Sequence, residues 1–128
     1  MEGHAKTNNV KLFAQQLEKR TLAFAVLIIR LSAKLPNTPE GRVVRNQVAK
    51  SGTSVGANYR EVNRSRSKAD FYHKIKICES EASETQYWLD VIGEAGLINE
   101  EDIQPVHDEC SELVALFTTI AKKNHKHF

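Results

Sequence analysis

Helix breakers are scarce in this chain: three prolines and six glycines in 128 residues. Most of them sit where a periodic segment should end, so long stretches run without punctuation. Cysteine is limited to Cys78 and Cys110, too few for a disulfide framework. Both fall on apolar helical stripes, where a small buried core residue is the plain reading and a catalytic thiol or a disulfide the alternative. The longest apolar run, Leu22 to Ile29, has eight residues, against about 20 for a membrane-spanning helix. The polar start MEGHAKTNNVK has no signal-peptide pattern. These absences lead to the expectation of a soluble, cytoplasmic protein with no membrane partner.

Catalytic signatures are missing too. There is no G-x-S-x-G and no Cys–His arrangement, and no convergent acid–base pair can be placed. The Gly-containing run from Ser51 to Asn58 lacks the Gly-Lys-Ser/Thr ending and preceding strand of a phosphate loop. Di-iron bundles use Glu-x-x-His on two helices. Here His73 follows Asp70 at that spacing once, His107 has Gln104 at the matching place, and Glu81 and Glu84 lack a second histidine. His125 and His127 form a weak tail pair. The expectation is no enzyme, no metal and no cofactor.

What remains is helical periodicity. Hydrophobic residues make up 41% and charged residues 27%, the balance of one globular domain, residues 1–128, with polar tails at about 1–9 and 124–128. Leu17, Thr21, Phe24, Ile28, Leu31 and Leu35 step by four and three along one face. Leu22, Ala25, Val26 and Ile29 lie off that face, so this helix should have more than one partner. Thr38 and Pro39 read as N-cap and first position of a second helix, with a stripe of Val44, Val48, Gly52, Val55, Tyr59 and Val62. Ser67 with Asp70 reads as a capping box opening a third helix that runs through Phe71, Ile75, Cys78, Ala82, Thr85, Leu89 and Ile92 toward Gly93 and Gly96. A fourth carries Ile103, Val106, Cys110, Leu113, Phe117 and Ile120. Asn99 looks like its cap, and Pro105 predicts a short first turn before a main helix from about Gln104. Four such helices with short connections predict an all-α, up-down-up-down antiparallel four-helix bundle.

Two features of the second helix stand out. Gly52 and Gly56, four apart, suit a close approach of two backbones. One residue out of phase with the apolar stripe runs a polar row: Gln47, Ser51, Ser54, Asn58 and Glu61. It reads as a solvated face, as a buried or interfacial hydrogen-bond network that fixes register, or, more thinly, as a ligand lining.

Charge is divided. From Thr38 to Lys68 there are seven basic residues (Arg42, Arg45, Lys50, Arg60, Arg64, Arg66 and Lys68) and two acidic; from Glu79 to Glu112 there are eleven acidic residues and no Lys or Arg. The seven cations are candidate phosphate contacts for nucleic acid, against the plain reading of a solvated turn at Arg60–Lys68. Tyr59 and Tyr72 lie nearby as candidates for stacking on bases, Tyr59 with a competing place in the core. A net charge of only +2 argues against a strong nonspecific binder. The same division suits a head-to-tail contact between copies, basic surface to acidic surface, which closes into a ring if the rotation closes.

The run Asn46-Gln47, then Ser51-Gly-Thr-Ser-Val-Gly-Ala-Asn-Tyr-Arg-Glu61, then Arg66-Ser-Lys-Ala-Asp-Phe71, resembles the signature of a small bacterial four-helix bundle family. So does Glu81, Glu84 and Tyr87-Trp88-Leu89, followed by Glu94-Ala-Gly-Leu97. That family includes the proteins encoded by intervening sequences in 23S ribosomal RNA genes, and is similar in fold to the accessory variability protein of diversity-generating retroelements. The resemblance spans about residues 17–123. It implies a homopentamer and, through the retroelement relative, nucleic-acid binding by basic surface. Its motif positions fall on Gln47, Ser51, Ser54, Val55, Ala57, Asn58, Glu61, Asp70, Phe71, Glu81 and Trp88, with Glu84 beside them. Val62 stands where many relatives have Gly, and Glu18-Lys19 where many have Trp-Gln. The sequence thus leads to a non-enzymatic homo-oligomeric bundle that binds structured RNA, with a protein–protein assembly module as the alternative.

Overall fold

The structure, a computed structural model, describes residues 2–125, with side chains from residue 8. Four helices follow in order: α1 Glu2–Ser32, α2 Pro39–Val62, α3 Lys68–Glu94 and α4 Glu100–His125. Each packs on the next and α4 returns to α1, the pair that meets least. This is the expected four-helix bundle.

The helix starts follow local chemistry. Thr38 accepts from the Gly41 N–H at 3.0 Å and Pro39 fills the first helical position, where a missing N–H costs nothing. Ser67 accepts from the Asp70 N–H at 3.0 Å. The Asp70 carboxylate reaches back one residue further than a capping box requires, to the Arg66 N–H at 3.1 Å, and also takes Lys74 at 3.0 Å. Those contacts, the Arg66 N–H first, hold the Asp70 carboxyl below the usual carboxylate range. Its hold on the α2–α3 connection is therefore present above that range and fades as pH falls through the lowered value.

One expectation on helix extent needs correction. The fourth helix has no separate first turn: α4 runs unbroken from Glu100 with Pro105 inside it. Asn99 caps it, accepting from the Asp102 N–H at 3.0 Å. Pro105 sits in the second turn, where it removes a single hydrogen bond, and the apolar face on either side holds the helix together. The first helix extends well before Leu17, and the stretch read as a polar tail is helical from Glu2. It contains no proline and only one glycine up to Leu17.

The stripes meet in one core. Phe24, Ile28, Val48, Val55, Ile75, Leu89, Leu113 and Phe117 are all sealed from solvent. On α4 the last buried position is Ala121, and Ile120 is half-buried. α1 and α2 approach closely. A Cβ added at Gly52 would stand 2.7 Å from the Ile28 side chain, and one at Gly56 3.2 Å from the Thr21 backbone.

Cys78 and Cys110 are free and buried. Burial pushes both thiols up to about 12, because a thiolate in apolar surroundings is costly. Neither should react with an aromatic disulfide reagent at pH 8 in the folded protein, and both should react in denaturant. Rapid labelling of either native thiol would contradict the packing described.

Candidate nucleic-acid interface

The antiparallel topology sorts charge to the two ends of the bundle. α2 and α4 finish at the same end, where α3 begins. Arg60 closes α2, Arg64 and Arg66 occupy the connection, and Lys68 opens α3. Lys122 and Lys123 arrive there in the last turn of α4. Asn124 and the segment Ser65 to Lys68 line one shallow groove, and Tyr72 lies against His125 with ring centroids 5.4 Å apart. His127 lies outside the described residues.

Arg60, Arg64, Arg66, Lys68, Lys122 and Lys123 are all exposed. Arg64 touches Glu61 only at 4.0 Å, and Arg60 touches Glu18 at 3.9 Å. Pairs this open to water are weak, so both guanidinium groups remain available to an anion. Carboxylates gather at the opposite end: Asp90, Glu94 and Glu100 surround one groove with His107, and Asp102 lies 3.4 Å from Lys34.

The seven basic residues singled out in the sequence do not form one patch. Arg42 and Arg45 belong to the first turns of α2, about 27 Å and about 22 Å along the helix from Arg60 at about 1.5 Å per residue. Arg42 donates to Asn37 and Arg45 to the Leu35 carbonyl, so they brace the α1–α2 connection. Lys50 is exposed at mid-helix. Lys122 and Lys123 take their place, brought in by a helix distant in sequence. Of the two tyrosines, Tyr59 is buried against Phe117, with centroids 5.8 Å apart, and is closed to a base; Tyr72 is half-buried.

The polar row on α2 also divides. Ser51 is fully buried and hydrogen-bonds Thr85 at 2.9 Å across the α2–α3 seam. Ser54 and Asn58 are half-buried and spend their donors on carbonyls of α2 itself. Gln47 and Glu61 are exposed. Across the seam, Glu81 is half-buried and Glu84 exposed; desolvation first, and then Glu84, raises the Glu81 carboxyl above its usual range. Trp88 is half-buried, and its indole N–H is covered without an acceptor among the described residues. Among those residues no group of three His, Cys, Asp or Glu gathers to hold a metal, and no helix is long and apolar enough to cross a membrane.

The structure defines a small helical bundle with a cationic end, a far end where carboxylates gather beside Lys34, Arg42 and Arg45, and a sealed core. The chain belongs to the family described as 23S rRNA-intervening sequence protein, whose model matches residues 14–119. It is similar to a solved structure from Bacteroides thetaiotaomicron, described as a protein with unknown function from the S23 ribosomal protein family. The two are 36% identical, with 82% of this chain and 97% of that one covered and a TM-score of 0.76. No functionally curated protein matches.

Proposed function

We propose that this chain is a non-catalytic, homo-oligomeric bundle whose basic end binds structured RNA. The observation that carries the reading is the gathering of Arg60, Arg64, Arg66, Lys68, Lys122 and Lys123 from three helices and a connection at one end. Phosphate contacts supply most of the affinity in sequence-independent binding. A modest net charge of +2 is compatible with it because Asp90, Glu94, Glu100 and Asp102 lie at the far end and the carboxylates near the basic end, Glu18 and Glu61, pair only weakly with Arg60 and Arg64. The family description, which names 23S rRNA, is in keeping with this ligand class. Self-association is supported by Leu22, Val26 and Ile29, which are 56%, 41% and 50% exposed on α1, a large apolar stripe for a monomer. Five copies is the stoichiometry that the sequence resemblance implies. A ring of copies multiplies one cationic end and raises avidity without new contacts.

The competing reading, an assembly module with no RNA ligand, draws on the far-end carboxylates as a mate for the basic end. Reversing Arg64 and Arg66 to Glu separates the two. RNA binding should be lost in a filter assay while the native mass is kept. Loss of the assembly itself would favour the competing reading.

A further inference from the structure

α1 has two faces. The core stripe ends in the bundle, and a second stripe with the same heptad spacing, Leu22, Val26 and Ile29, points away from it into solvent. Its flanks are cationic from Lys19 onward: Lys19 and Arg30 are exposed, no carboxylate occurs in the sequence from Lys19 to Pro39, and the half-buried Glu18 beside Leu22 faces Arg60 at 3.9 Å. A partner for this face needs apolar groups set among anions.

The chain carries such a surface itself. On the outside of α3, Ile77 and Tyr87 are 45% and 60% exposed. Glu84 lies exposed between them, and Glu81 beside it is crowded by Glu84. The two surfaces also match in height. Ile28 meets Gly52, and the adjacent Ser51 bonds Thr85, so Ile28 and Thr85 share one level along the bundle. α1 and α3 run in the same direction. Counting along each helix, Arg30 stands level with Tyr87 and within about 5 Å of the level of Glu84, and Leu22 stands within about 3 Å of the level of Ile77.

A rotation axis parallel to the bundle preserves both level and helix direction. It therefore brings apolar residues opposite apolar ones and Arg30 opposite a carboxylate.

We infer that the outer stripe of α1 docks on the outer face of α3 of a second copy of this chain. The contact is heterologous and closes into a ring when the rotation closes. It rests on the self-association proposed above and assigns its surface to α1, where the sequence pointed to the basic part of α2.

The test is disulfide trapping with singly substituted full-length chains. Ile29→Cys and Tyr87→Cys copies, mixed and mildly oxidised, should give a covalent dimer, and neither should give one alone. The native thiols are too buried to compete. Val26→Asp should reduce the native mass to one chain with the helical circular dichroism signal unchanged. Crosslinking of Ile29→Cys by itself would mean α1 meets α1 and would overturn the inference. So would an assembly of unchanged mass in Val26→Asp, although self-association would then stand on another surface. A wild-type chain that runs as a monomer would overturn the proposed assembly and this inference together.

Discussion

Phe117→Ala is expected to destabilise the bundle by about 4 kcal/mol, within the usual range for emptying a buried aromatic site. Phe117 is sealed from solvent in α4 and packs on Tyr59 of α2. Its ring thus joins two helices that are not neighbours in sequence. Removing it forfeits the transfer of the ring from water and leaves a cavity that helices fixed on other sides cannot collapse to fill. Set against a typical domain stability of about 5–15 kcal/mol, that loss is large. Urea unfolding at one fixed protein concentration should show a lower midpoint with an unchanged slope. A midpoint within error of wild type would mean that Phe117 is not in a rigid core.

Gly52→Val is expected to cost about 3 kcal/mol, the upper part of the range for overpacking. The Cβ alone would stand 2.7 Å from two carbons of Ile28 and 3.0 Å from its Cβ. Ile28 cannot swing aside, because those atoms lie close to its own backbone, so α1 must move. The alanine variant makes the sharper comparison. In a solvated helix Gly→Ala gains about 1 kcal/mol of helix propensity; at Gly52 the contact should outweigh that gain and leave the variant less stable. Thermal melts of the two variants beside wild type decide the point. A stabilised Gly52→Ala would contradict the close approach of α1 and α2.

The core stripes, the caps at Thr38 and Ser67, the burial of both thiols and the tight approach at Gly52 were legible because each depends on local spacing or residue type. The continuous α4 was not. Pro105 signals a break locally, but it sits in the second turn of a helix with a strong apolar face, and tertiary packing overrides the local cost. Gly41 carried no signal either. A Cβ there would stand 2.0 Å from the Pro36 carbonyl oxygen, an approach created by the fold of the α1–α2 connection.

The candidate interface was half legible. Arg60 to Lys68 stood out as a run, whereas Lys122 and Lys123 belong to it only because even-numbered helices of an up-down bundle finish at one end. That inference needs topology, not composition. Arg42 and Arg45 were grouped with the run by their place in the sequence, and a helix of 24 residues carries them to the far end. The polar row on α2 looked uniform because its members share a residue class. Their surroundings differ, since only Ser51 turns fully into the α2–α3 seam.

The salt dependence of RNA binding tests the central claim most directly. Fluorescence anisotropy with a labelled structured fragment of 23S ribosomal RNA, titrated from low to moderate salt, gives the slope of log affinity against log salt. The wild-type slope should be steep, and Arg64→Ala with Arg66→Ala should reduce it by about two, one for each phosphate contact removed. No binding at low salt, or a slope that both substitutions leave unchanged, would contradict an RNA-binding role for the basic end.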